Sequence, residues 1–158
     1  MKRSAFMMGG QDIDNLTAGQ AMGNGVNFCH SSTSWRSMSS VLVDKGYGSL
    51  PVVDDDMNLI GIVSEYDLLG VLLEKRDEKT IKAEDIMTKN PITVEEDTSI
   101  FDVIKTLEGH KLIRVPVVKG SRLVGILTRR DVLYCYLMAN GSNDGGINHT
   151  TKVSTSTS

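Results

Sequence analysis

The sequence predicts an α+β fold. It consists of two pseudo-twofold-related copies of one β-α-β-β-α unit, each a small sheet packed by two helices. Three observations predict it. First, the chain repeats itself. Ser49-Leu50-Pro51-Val52-Val53 leads to Gly61-Ile62-Val63-Ser64-Glu65-Tyr66-Asp67, and Arg114-Val115-Pro116-Val117-Val118 leads to Gly125-Ile126-Leu127-Thr128-Arg129-Arg130-Asp131. Pro51 and Pro116 stand 65 positions apart, whereas Asp67 and Asp131 stand 64 apart, so one residue is lost in the turn between the strands. Such a repeat defines the folding unit before any single motif is weighed. Second, each copy alternates an apolar period of three to four residues with short β-branched runs, the marks of helix and strand in turn. Third, 158 residues with 40% hydrophobic and 23% charged content suit one globular domain with a sizeable core.

The elements follow in order. Residues 1–15 read as a flexible tail, 16–75 as the first motif, 76–82 as a charged linker and 83–139 as the second motif. Residues 140–158 are low-complexity and too poor in apolar side chains to order themselves. Each motif opens on a short helical turn, Ala18-Gly19-Gln20-Ala21-Met22 or Ala83-Glu84-Asp85-Ile86-Met87, which runs into an extended segment. Pro91 holds the second of these segments extended. A helix comes next, carried by Trp35, Met38, Val41 and Leu42 in one copy and by Ile100, Val103, Ile104 and Leu107 in the other. Thr33-Ser34 and Thr98-Ser99 stand where N-caps are wanted, and Gly46 and Gly109 where the helices should stop. A hairpin follows, with the acidic turn Asp54-Asp55-Asp56-Met57-Asn58 in the first copy and Lys119-Gly120-Ser121-Arg122 in the second. The last helix of each copy begins near Glu65 or Arg129.

Composition narrows the function. The net charge of −3 gives no general basic surface, which argues against nucleic acid as a partner. No apolar run reaches the ~18 residues of a membrane span, and the start of the chain lacks the apolar stretch of a secretory signal. Two cysteines, Cys29 and Cys135, form no disulfide framework and read as core thiols, with a reducing cytoplasm as the expected compartment. The adjacent pair Cys29-His30 has no second pair at ligand spacing, so no metal site is expected. No Ser-His-Asp, paired-carboxylate or His-Glu-x-x-His constellation appears, and the chain is not expected to be an enzyme.

A strand ending in Gly-φ-φ-Ser/Thr-x-x-Asp (φ, an apolar residue), preceded by φ-Pro-Val-Val and present twice at this interval, resembles the cystathionine-β-synthase (CBS) domain family. Residues 16–139 resemble one tandem CBS pair, or Bateman module. The resemblance implies a regulatory module that binds an adenosine-containing ligand such as AMP, ATP, NAD or S-adenosylmethionine in clefts between the halves. It also implies a homodimer and an effector protein that reads the occupied state. The ribose and phosphate ends of the clefts would be Ser64 and Asp67 in one copy and Thr128, Arg129, Arg130 and Asp131 in the other. The adenine side would draw on Asn27, Phe28, Ile92, Thr93, Pro116 and Arg114. In the family the extended segment of one half completes the cleft of the other, bringing Gly23 to Cys29 towards Asp131 and Thr88 to Val94 towards Asp67.

The chemistry of these residues agrees with that role. A carboxylate only accepts hydrogen bonds, and its two oxygens can take both hydroxyls of a ribose. Ser64 and Thr128 can bond a phosphate or ribose oxygen, and the helix N-terminus behind each offers free N–H groups to an anion. Ser/Thr followed three residues later by Asp is equally an ordinary helix-capping arrangement, and the two roles can coexist. The copies differ in charge: Arg129 and Arg130 in the second copy replace Glu65 and Tyr66 in the first, so a phosphate should prefer the Asp131 cleft. The rival reading is a structural or interaction adaptor that binds no ligand.

Overall fold

The computed structural model describes residues 13–23 and 25–140, so most of both tails, and Asn24, lie outside the described residues. The first copy contains α1 (Ala18–Ala21), β1 (Cys29–His30), α2 (Trp35–Lys45), β2 (Ser49–Val53), β3 (Leu59–Ser64) and α3 (Glu65–Leu73). The second contains α4 (Ala83–Ile86), β4 (Thr88–Lys89), β5 (Val94–Glu95), α5 (Ile100–Gly109), β6 (Arg114–Lys119), β7 (Arg122–Thr128) and α6 (Arg129–Ala139). Two sheets result, with strand orders β1-β2-β3-β4 and β5-β6-β7. In each, a short strand pairs in parallel with the hairpin's first strand, the connection a helical crossover allows.

Local chemistry sets the boundaries. Ser34 and Ser99 cap α2 and α5 by accepting the N–H of Ser37 and Asp102. Gly46 ends α2 in the left-handed conformation at φ 70°. The sequence puts the matching stop on Gly109, but there the left-handed residue is Lys111 at φ 54°, the position 65 on from Gly46. The helix geometry, not the nearest glycine, decides where the chain must turn. The lost residue falls in the hairpin turn. Five residues separate the paired Val53 and Leu59, and four separate Val118 and Leu123. Asp54 shapes the longer turn, its Oδ1 accepting from the N–H of Asp56 at 2.9 Å and of Asn58 at 2.8 Å.

The opening helices are exchanged between halves. α1 packs with Ile13, Leu16 and Met22 into the core of the second copy, against Val94, Ile100, Val115, Leu127 and Val132. Ala83 of α4, with Ile86 and Met87, packs into the core of the first, against Met38, Leu42, Leu50, Val63 and Leu68. Three backbone hydrogen bonds fix each exchange. Ala18 donates to Thr98 (2.8 Å), Gly19 to Glu96 (2.8 Å) and Ile100 to Leu16 (2.9 Å). Ala83 donates to Thr33 (2.9 Å), Glu84 to Ser31 (2.9 Å) and Trp35 to Ile81 (3.0 Å) at the equivalent positions. Periodicity reports which segments are equivalent, not which sheet they cover, so sequence order alone places Ala18–Ala21 with its own half. The turn at Ile13–Asn15, read from sequence as tail, belongs to this exchanged unit, with Ile13 in the core.

The halves also meet at both ends of their hairpins. At the tips, Leu59 donates to the carbonyl of Ser121 and Leu123 to that of Met57, both at 2.9 Å, and the Ser121 hydroxyl donates to Asn58 Oδ1 at 2.8 Å. The other end carries the starts of α3 and α6, and there the candidate cleft lies.

Candidate ligand cleft

β3 and β7 each end on a hydroxyl residue that caps the next helix. Ser64 Oγ accepts the N–H of Asp67 at 3.1 Å, and Asp67 Oδ2 accepts the N–H of Ser64 at 2.8 Å. Thr128 Oγ1 accepts the N–H of Asp131 at 3.0 Å, and Asp131 Oδ2 accepts the N–H of Thr128 at 2.9 Å. Both arrangements are reciprocal capping boxes worth about 1 kcal/mol each. Capping engages one oxygen of each carboxylate in these bonds. A carboxylate has about four lone-pair sites, and a hydroxyl that accepts from an amide keeps its own O–H to donate.

The hairpins place further polar groups beside these caps. Ser49 pairs directly with Ser64 across β2 and β3, and Arg114 pairs directly with Thr128 across β6 and β7. Residues so opposed share a face of the sheet. Pro116, paired with Ile126, lies two residues along the same face as Arg114. Arg114 reaches across to the first half. Its guanidinium carbon lies 4.4 Å from the centre of the Tyr47 ring, and Tyr47 Oη accepts from Asn27 Nδ2 at 3.0 Å. Arg114, Tyr47 and Asn27 therefore join the second sheet, the first sheet and the segment that follows α1. Sequence reasoning missed Tyr47, whose one signal is an aromatic ring at the position Leu112 holds in the other copy.

The extended segments start on the opposite halves. Met22, just before the first segment, packs on Gly125 of β7, while Thr88–Lys89 adds to the first sheet as a strand opposite Gly61 and Ile62. The first segment then crosses over: Asn27 bonds Tyr47, and Cys29 pairs with Val52. Phe28 is exposed, with its ring edge against His30, and Ile92 is exposed and Thr93 half-buried between β4 and β5.

The charged residues fall elsewhere than their sequence position suggests. Arg129, one residue past the Thr128 cap, lines a groove of about 520 Å³ between α5 and α6 with Ile104, Leu107, Lys111 and Leu133. Glu65 lines the matching groove of about 410 Å³ between α2 and α3 with Trp35, Leu42 and Leu69. Asp67 and Asp131 stand two residues further on, a rotation of about 200°, which turns Glu65 and Arg129 onto the helical faces while the carboxylates bond back to Ser64 and Thr128. Arg130 is exposed on the first turn of α6. In the core, burial pushes the Cys29 thiol up to about 11, with a hydrogen bond from Thr33 opposing it. Among the described residues no group of three His, Cys, Asp or Glu side chains is placed to hold a metal ion, and no helix is long and apolar enough to cross a membrane.

Comparison with known proteins places this arrangement. The sequence profile of the CBS domain matches residues 18–74 and again residues 83–137. The chain belongs to the CBS domain family. Its two copies form a tandem CBS pair, and solved CBS pairs share the fold. CBSX2 in complex with AMP superposes with a TM-score of 0.71 at 35% identity, over 79% of this chain and 98% of that one. The CBS pair of protein MJ0100, in complex with 5-methylthioadenosine and S-adenosyl-L-methionine, gives 0.65 at 27% identity, over 76% and 94%. Among curated sequences, YlbB of Bacillus subtilis is 40% identical over 92 residues, which are 56% of this chain and 61% of that protein. The chain spans between about a third and three fifths of the length of the first curated relatives it matches.

Proposed function

We propose that this CBS pair is a regulatory module that binds an adenosine-type ligand between its halves and passes the occupied state to another protein. The observation that carries this reading is the duplicated strand end at the junction of the halves. There a capping hydroxyl and a capping carboxylate stand beside a polar face that reaches both sheets. Asp67 and Asp131 would hold ribose hydroxyls, and Ser64 and Thr128 a ribose or phosphate oxygen. The AMP held by CBSX2 and the adenosine compounds held by MJ0100 support the ligand class.

Thermal unfolding with AMP, ATP, NAD and S-adenosylmethionine tests the reading. A ligand at 100 times its Kd adds about 2.7 kcal/mol, or roughly 10 °C in Tm for a domain of this size. If none of the four shifts the melt, the ligand reading is wrong and the adaptor reading takes its place.

The same reading extends to assembly. Leu69, Leu72 and Leu73 on α3 and Leu133, Tyr136 and Leu137 on α6 remain exposed, Leu133 by 64%. Together they form two apolar faces flanking the helical grooves. Apolar surface of this kind marks an interface, and a twofold homodimer is the commonest way to cover it.

A further inference from the structure

The two exposed helices match in their apolar residues and differ in their charges. On α3, Tyr66, Leu69 and Leu73 recur at helical spacing and stand out into solvent, Tyr66 by 85% and Leu73 by 84%. On α6, 64 positions on, Arg130, Leu133 and Leu137 make the corresponding stripe, also exposed. As hydrophobic surface the two stripes are interchangeable. Their first turns are not. That of α3 holds Glu65 and Asp67 and no base, whereas that of α6 holds Arg129, Arg130 and Asp131. Both aspartates bond back to their caps, which leaves Glu65 against Arg129, and Tyr66 against Arg130, as the difference between the copies.

The grooves beside the stripes divide in the same way. Glu65 is the one charged residue lining the groove between α2 and α3, among otherwise mostly apolar side chains. The groove between α5 and α6 has Arg129 and Lys111 beside a single acid, Glu108. Among the described residues neither Glu65, Arg129 nor Arg130 enters a salt bridge within the chain. Charges placed on an apolar interface set its orientation, because unlike groups favour contact and like groups oppose it. A second copy can cover these faces in two ways. Laid like half on like half, it sets glutamate 65 against glutamate 65 and arginine 129 against arginine 129. Turned end for end, it sets acid against base.

We propose that the chain pairs head to tail with a second copy, the α2–α3 face of each protomer on the α5–α6 face of the other, with Glu65 opposite the partner's Arg129 and Tyr66 beneath the partner's Arg130. The inference rests on the reading that the module is a homodimer, and gives that dimer its orientation. A twofold axis makes the contact twice and covers both helical faces of each protomer. It also turns the most exposed aromatic ring on α3 into a seat for a guanidinium, a contact that Tyr66 opposite a second Tyr66 would not make.

Sedimentation equilibrium of the full chain, native and as Glu65→Arg, Arg129→Glu and the two changes combined, tests this. In the head-to-tail dimer each single change opposes like charges at both copies of the contact and should weaken dimerisation at least about tenfold. The combined variant restores unlike pairs with their signs exchanged and should recover most of the loss. In the other orientation a single change replaces one like pair by another and leaves the dimerisation constant where it was. The native protein gives an independent reading. Raising salt from about 0.05 M to about 0.5 M should loosen a head-to-tail dimer and tighten a like-on-like one, and this response decides alone should a variant fail to fold. Dimers indifferent to the single changes, a combined variant as weak as either single one, or a native dimer that tightens with salt overturns the orientation and leaves the homodimer standing. A native monomer at micromolar concentration refutes the homodimer reading itself, and the inference with it.

Discussion

Replacing Gly61 by alanine puts a methyl group where the two halves are locked together. Gly61 lies in β3 opposite Lys89, and Met87 of the exchanged α4 segment lies across it. A Cβ at Gly61 would stand 2.5 Å from Met87 Sδ, 2.9 Å from Met87 Cγ and 3.0 Å from the carbonyl oxygen of Thr88. The methionine side chain can swing away from such an overlap. The Thr88 oxygen cannot, because Thr88 is held by its pairing with Ile62. Overpacking of this kind costs about 1–3 kcal/mol, and the fixed oxygen argues for the upper half of that range. At roughly 3–5 °C per kcal/mol for a domain of this size, Tm should fall by roughly 6–15 °C. Gly125→Ala, the equivalent change in β7, meets side-chain atoms of Met22 first, which can swing away, and should cost less. Calorimetric melts of both variants give the order. A double-mutant cycle with Met87→Ala gives the coupling, which should be at least about 1 kcal/mol for groups in direct contact. A Gly61→Ala protein within about 0.5 kcal/mol of the native one, or no coupling to Met87, would refute the reasoning.

Asp131→Ala should weaken nucleotide binding at least about tenfold and also cost roughly 0.5–2 kcal/mol of stability through the lost cap, so calorimetric titration must be paired with a melt. Cys29 and Cys135 should react with iodoacetamide at pH 8 only after unfolding. With its thiol pushed up to about 11, Cys29 should be about a hundredfold poorer in thiolate than at the ordinary value near 9. Hydrogen bonds from Asn58 and Asp56 hold Asp54 below the usual carboxylate range, so its contribution is present above that range and lost as pH falls through the lowered value. Asp54→Ala should therefore lower Tm at pH 7, and the difference from the native protein should shrink as pH falls below the usual carboxylate range. Light scattering at micromolar concentration should return about twice the 17.2 kDa chain mass, and a monomer would remove the case for a dimer.

The sequence carries the fold in its local and periodic signals. The repeat, the hairpins and the Ser and Thr caps are contiguous patterns, and the capping boxes of Ser64–Asp67 and Thr128–Asp131 could be read because their spacing is local. What the sequence hides is set by packing. The exchange of α1 and α4 depends on which sheet leaves room for them, and both alternatives satisfy the same periodicity. The placement of Arg129 and Glu65 on the helical faces follows from helix phase, which adjacency to Thr128 and Ser64 does not convey. Tyr47 meets Arg114, 67 positions away, a partner no local pattern announces.

Each exchanged helix stays with the sheet it packs on, so moving the two sheets apart would leave the six exchange bonds intact and would break the three hydrogen bonds at the hairpin tips and the Arg114–Tyr47 contact. At roughly 0.5–1.5 kcal/mol net for each hydrogen bond, the tips hold the sheets together by only a few kcal/mol. Movements of α3 and α6 offer a signal a further way out of the cleft. Asp67 and Asp131 sit in the first turns of these helices, and Leu69, Leu72, Leu133 and Tyr136 lie exposed about half a turn to one and a half turns further on. A helix transmits a tilt along its length because its hydrogen bonds run within it. On the proposed reading, a ligand that draws on either carboxylate acts at one end of a rod that carries the apolar face, so occupancy should alter the geometry of that face.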